Sequence, residues 1–296
     1  LHIYFFNPEG NLKMKKKIAL VAMAAFAVCA QAAEWSDTAI SLRHGTNYAE
    51  PFNSNAVTKT IVGLTHASGF KYGSNFFNAD LLMSNQTDPS AFGSKTGAHE
   101  VYVVYRNTLD FEKVSGKSFK TTGVRGLGFT SGFDFNTKND AGYNSKKEMF
   151  VAGPTVMVDV PAGFLNVSLL QLWESNAPSG YNFGSSSYYN TDRYHYDPHP
   201  MLTAAWAIPF SVGSVPLSFE GFANYITAKG KNESGGNTAA ETNIDMQVMY
   251  DVYGNKTFKV GAEYQYWKNK FGNDYTGVAG KGAFAKTPMV RAEYHF

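Results

Sequence analysis

The chain has 296 residues, with 26 Lys and Arg against 24 Asp and Glu and a formal net charge of +2. Lys13, Lys15, Lys16 and Lys17, against the single acid Glu9, lie in the first 32 residues. Without that segment acids outnumber bases by one, so no basic excess points to nucleic acid. The only cysteine, Cys29, lies there too, which leaves the rest without a thiol for a disulfide, a cysteine-bound metal or a cysteine nucleophile.

Residues 1–13 precede Met14 and are read as an over-extended upstream segment. Residues 14–32 read as a secretory signal peptide. Lys15, Lys16 and Lys17 lead into the apolar run 18–28, and Ala30-Gln31-Ala32 supplies the small-x-small pattern, with cleavage expected after Ala32. Val28 before Cys29 fits a lipoprotein cleavage box poorly. Residues 33–296 are read as one domain. No apolar run in it approaches the ~18 residues of a membrane helix.

Twelve strands are predicted, near 35–44, 57–67, 71–84, 99–112, 119–135, 147–160, 163–175, 198–209, 215–228, 240–252, 257–269 and 283–296. Several alternate with a period of two, which puts one residue set on each face. In the sixth, Phe150, Ala152, Val156 and Val158 share a face with Pro154. In the ninth, Leu217, Phe219, Ala223 and Tyr225 oppose Ser218, Glu220, Phe222 and Asn224. In the tenth, Ile244, Met246, Val248 and Tyr250 oppose Asn243, Asp245, Gln247 and Asp251. In the eleventh, Phe258, Val260, Tyr264 and Tyr266 oppose Lys259, Glu263, Gln265 and Trp267. Pro154 and Pro288 are awkward, because neither has an N–H for the ladder.

The connections are expected to alternate in length. Long ones fall at 44–56, 85–98, 136–146, 175–197, 229–239 and 270–282. Short ones fall at 68–70, 114–117, 160–163, 209–214 and 253–256. External loops are long and periplasmic turns short in outer-membrane barrels, and a sandwich or propeller has no reason for such alternation. The last strand alternates Val290, Ala292, Tyr294 and Phe296 with Arg291, Glu293 and His295. A terminal aromatic on such a strand is the signal read by the barrel-assembly machinery, so Tyr294 and Phe296 are the expected assembly signal. The fold class is therefore all-β, a transmembrane antiparallel barrel of about twelve strands in the outer membrane of a Gram-negative cell. Membrane lipid and lipopolysaccharide are its surroundings.

In such a barrel the polar face must point inward, since a lipid-facing Arg or Lys at midplane costs roughly 2–4 kcal/mol. Asp80, Glu100, Arg106, Arg125, Glu148, Glu220, Asp245, Glu263, Arg291 and Glu293 are assigned to that face. Tyr102, Phe222 and Trp267 share it, where aromatic rings either fill the lumen or stack on a planar solute. The candidate solute-binding set is Phe222, Trp267, Glu220, Asn224, Asp245, Glu263, Tyr102 and Arg106.

Trp35-Ser36-Asp37-Thr38, Arg43-His44-Gly45-Thr46, Glu50-Pro51-Phe52, the run 66–78, Asp80-Leu81-Leu82-Met83-Ser84 and the strand ending at Phe296 resemble the Tsx-like family of nucleoside-specific channel-forming outer-membrane proteins, in particular its outer envelope proteins. The resemblance implies a monomeric twelve-stranded barrel that passes nucleosides through a narrow channel. The leading reading is thus a channel for passive diffusion of small solutes, with nucleosides the favoured class and no enzymatic activity. Two alternatives stand beside it. His66 and Ser68, two residues apart on one strand face, are a base and hydroxyl nucleophile of the kind used by outer-membrane lipid hydrolases. Otherwise the barrel is structural or adhesive and acts through its loops, chiefly 175–197. Tyr194-His195-Tyr196-Asp197-Pro198-His199-Pro200 lacks fixed metal-ligand spacing. No cofactor motif is present.

Overall fold

The computed structural model describes residues 33–182 and 184–296. The expected upstream segment and signal peptide, residues 1–32, lie outside the described residues. Period-two sequence becomes strand close to where it was expected, with the fifth strand starting at Val124 rather than 119, in β1 (Trp35–Glu50), β2 (Asn53–Phe70), β3 (Gly73–Ser84), β4 (His99–Asp110), β5 (Val124–Lys138), β6 (Lys146–Val158) and β7 (Phe164–Asn176). Three short strands follow, β8 (Ser179–Asn182), β9 (Ser187–Asn190) and β10 (Tyr194–His195). Then come β11 (His199–Val212), β12 (Val215–Ile226), β13 (Glu241–Asp251), β14 (Phe258–Lys268) and β15 (Phe284–His295). Each long strand pairs antiparallel with its sequence neighbour, β7 pairs β11, and β15 returns to β1. The result is a closed twelve-strand barrel, with β8 and β9 as a hairpin outside it.

Closure is made at Ile40↔Tyr294 and Leu42↔Ala292, and the Phe296 backbone N–H donates to the Thr38 carbonyl at 2.9 Å. The two prolines sit where the ladder allows them. β6–β7 pairing skips Gly153 and Pro154, and β15 pairs β1 only from Val290 onward.

Ile40, Leu42, Val62, Leu81, Phe129, Phe150, Leu169, Leu202, Val248 and Val290 stand exposed on the outer wall. Ser41, Arg43, Lys59, Glu100, Asp134, Thr155, Glu174, Asp245, Gln247 and Glu263 are buried on the inner one. Apolar outside and polar inside is the arrangement lipid demands. Among the described residues no helix is long and apolar enough to cross a membrane.

Five expectations need correction. The segment 44–56 is not a loop. β1 and β2 continue through it and turn at Pro51-Phe52, so this external connection is tight and the hairpin projects. The turn after β2 falls at Lys71-Tyr72, which leaves His66 and Ser68 inside the strand. The β4–β5 connection is longer than a tight turn and contains a one-turn helix, α1 (Phe111–Ser115), capped by the Asp110 side chain. Glu148 shares the outward phase of Phe150 and pairs with Arg193 at 3.1 Å, above the apolar belt. Arg125 is exposed at a β-bulge that opens β5. Neither Glu148 nor Arg125 lines the lumen.

Candidate lumen site

Strand register stacks six of the eight candidate residues on one wall. Glu220↔Gln247↔Glu263, Phe222↔Asp245↔Gln265 and Asn224↔Asn243↔Trp267 form three successive levels across β12, β13 and β14. Tyr102 and Arg106 lie on β4, six strands away around the ring and so opposite that wall. The two walls face each other across the lumen rather than forming one patch.

Nearly every candidate already has a partner. Glu220 accepts from Lys259 at 3.0 Å, Ser218 at 2.5 Å and Gln247 at 3.3 Å. Glu263 takes Arg291 at 2.9 Å and Arg43 at 3.5 Å, and Arg43 also pairs with Asp80. Asp245 accepts from Gln265 at 3.2 Å, and Asn224 from Thr203 at 2.6 Å. Arg106 pairs with Asp134, which also accepts from the Tyr102 hydroxyl at 3.4 Å. Trp267 Nε1 donates to Glu241 at 2.6 Å, and its ring meets Phe271 edge-on at 4.7 Å. Phe222 is partly buried on the inner wall. A neutral band continues around the other side, where Thr108, Thr130, Thr155 and Ser168 hand hydrogen bonds from β4 to β7 at 2.8, 2.6 and 2.7 Å.

The external mouth is closed by a network that sequence reasoning missed. Glu50 receives Lys59 at 2.6 Å, Lys270 at 2.9 Å and Lys138 at 3.1 Å. Lys138 also meets Asp88 at 2.9 Å and Asp140 at 3.0 Å, which ties the 85–98 and 139–145 loops to the rim. Alongside, Glu174 lies between Lys147 at 3.0 Å and Lys229 at 2.7 Å. The Phe271 ring sits between the two groups, 4.3 Å from Lys147 Nζ and 5.4 Å from Lys270 Nζ. Side chains in this network are 1–9% exposed at Lys59, Lys138, Lys147, Glu174, Lys229 and Lys270. Nearer the periplasm Glu220 and Arg106 reach 20%, and Phe76, on the inner face opposite Arg106, is 41% exposed.

Two apolar clusters help to fill the lumen. Tyr48, Val57, Ile61 and Met289 form one, and Val151, Leu170, Leu172 and Met201 the other. Above them Glu233, on the loop before β13, accepts hydroxyls from Tyr143 and from Tyr196, the latter at 2.6 Å. Burial and then this carboxylate push both phenols well up. Burial raises Asp88 to about 6, whereas Lys138 holds Asp140 below the usual range despite its burial.

His66 Nδ1 meets Thr38 Oγ1 at 2.7 Å on the outer wall, and Ser68 is buried beside it in β2. The described contacts hold no hydrogen bond between His66 and Ser68. Among the described residues no group of three or more His, Cys, Asp or Glu is placed to hold a metal ion.

No family model matches the chain, and no curated protein matches it. Similar solved structures are outer-membrane barrels. The KdgM porin is 10% identical over 87% of this chain and 99% of that one, with a TM-score of 0.40. The NanC porin is 10% identical over 86% and 98%, with 0.41. The translocator domain of autotransporter NalP from Neisseria meningitidis is 11% identical over 97% and 98%, with 0.43. At this level of likeness neither solute nor mechanism transfers.

Proposed function

We propose that this chain is an outer-membrane channel for small polar solutes, held closed at its external mouth. The observation that carries this reading is the chemistry of the inner wall. A barrel that needed only to stand in lipid could fill its lumen with apolar side chains at lower desolvation cost. This one keeps hydroxyls, amides and ion pairs along its length. Such groups replace the hydration shell of a passing solute. The proposal places the chain as a monomer among lipid and lipopolysaccharide, inserted by the barrel-assembly machinery through Tyr294 and Phe296. It includes no catalytic step.

Nucleosides are the proposed solute class. A base would stack on Phe222 or Trp267 while Glu220, Asn224, Asp245 and Glu263 meet sugar hydroxyls. Tyr102 and Arg106 would complete the opposite wall. Liposome swelling with a panel of nucleosides, sugars and amino acids tests this. Faster uptake of nucleosides than of sugars of similar size supports it, and equal rates remove the specificity.

The closed mouth favours a second reading, a structural or adhesive barrel that works through its loops. Tyr188 and Phe92, at 78% and 59% exposed, would then be contact residues. Binding of cells or matrix by the folded protein, lost on deleting the 177–198 loop and unaccompanied by any conductance, would favour it.

A further inference from the structure

Between β14 and β15 the chain folds inward rather than away from the barrel. Asn269 and Phe271 adopt φ of 55° and 61°, and Gly272 adopts 80°. Glycine takes this left-handed region freely and Asn tolerates it, but Phe is a true outlier there. Strain of this kind persists only where surrounding contacts over-determine it, and it clusters at switch segments. Lys270 Nζ reaches past the rim to Glu50 at 2.9 Å and to the Ala49 carbonyl at 3.0 Å. The Phe271 ring is wedged between two ammonium groups and against Trp267. The segment thus plugs the mouth directly above the aromatic and acidic wall, and its backbone would relax if it left.

We propose that Lys270 and Phe271 form a displaceable gate, whose withdrawal opens the external mouth and uncovers Trp267. The gate rests on the channel reading only for its purpose; its motion is testable without conduction. Removing Lys270 still leaves Glu50 paired with Lys59 and Lys138. Replacing Phe271 with glycine removes the wedge and suits the left-handed backbone.

The test places a cysteine at Asn243, which pairs with Trp267 beneath the gate, and follows its reaction with a membrane-impermeant maleimide added outside. Protein without the added cysteine gives the background. Asn243 is half-buried, and labelling from outside of a thiol there tracks the population with the gate open when opening is fast. We expect Lys270→Met and Phe271→Gly each to speed labelling about tenfold, with Lys270→Arg staying slow because it can keep the pair with Glu50. Tyr253→Ser, at an exposed periplasmic turn, should match the parent. Folding of each variant is checked by the heat-dependent gel shift of intact barrels, and if Lys270→Met does not fold, Phe271→Gly decides. Unchanged labelling in the folded gate variants overturns the gate, as does an equal rise in Lys270→Arg and Tyr253→Ser. Faster labelling without conductance keeps the gate and defeats the channel reading instead.

Discussion

Glu174 is the test case for the lumen's ion network. Its carboxylate is held by Lys147 at 3.0 Å and Lys229 at 2.7 Å, with all three side chains at most 5% exposed. At an effective dielectric of about 20, a unit charge pair about 3 Å apart is worth roughly 5–6 kcal/mol. Desolvation takes back several kcal/mol per ion, so the intact triad contributes little net stability. Breaking it is different. Glu174→Gln takes away the carboxylate that pairs with both buried ammonium groups and leaves only the more distant Glu241 facing both of them, a cost of about 3–5 kcal/mol. Unfolding by urea in detergent micelles, followed by gel shift and tryptophan fluorescence, should show the midpoint fall accordingly. The triple variant Lys147→Met, Glu174→Leu, Lys229→Met replaces the triad by apolar side chains and should regain most of the loss. A Glu174→Gln protein within about 0.5 kcal/mol of the parent would refute the reasoning, and so would a triple variant less stable than the single.

Deleting Phe296 should abolish outer-membrane yield, because the closing strand loses both its terminal aromatic and the hydrogen bond to Thr38; Tyr294→Asp, at an outward position 54% exposed, should do the same by placing a charge in lipid. Normal membrane fractions of both would remove the assembly role. Asp88, raised to about 6 by burial, binds its proton more tightly in the folded chain than in the unfolded one. Its contribution to stability therefore grows as pH falls from about 6 toward about 4 and is absent above pH 6, so Asp88→Asn should erase that increment in denaturant midpoints measured from pH 7 to 4.5. Equal pH profiles for parent and variant would contradict this. A Cβ on Gly132 would lie 2.0 Å from the Tyr105 carbonyl oxygen, so Gly132→Ala should cost about 1–3 kcal/mol in the same unfolding assay. Trp267→Ala should weaken nucleoside block of channel current by about 1–3 kcal/mol if stacking is used; unchanged block would move the site to another wall.

Strand number and position were legible because lipid outside and polar groups inside impose a period of two on every spanning segment, as Ile244 to Tyr250 and Phe258 to Tyr266 show. The Pro51-Phe52 hairpin was not. Above the membrane the outer face of β1 and β2 meets water, so His44, Asn47, Asn53 and Ser54 look like loop although they are strand. Glu148 was misplaced by following charge rather than phase, since it shares the phase of Phe150. On the wall of β12 to β14 alternation alone put Glu220, Phe222, Asn224, Asp245, Glu263 and Trp267 on one face. Lys59 and Lys147 carried a usable signal, the inward phase shared with Ile61 and Val151. Lys229 and Lys270 carried none, because they lie in loops whose inward fold depends on partners far away in sequence. Closure of the mouth was therefore invisible until those loops were placed.

Single-channel recording of the purified barrel in planar bilayers tests the central claim most directly. The parent should show small conductance steps that are rarely open, and Phe271→Gly should show the same unit step open far more often. Bilayers that stay silent for both proteins, with folded barrel recovered from them, would contradict the account.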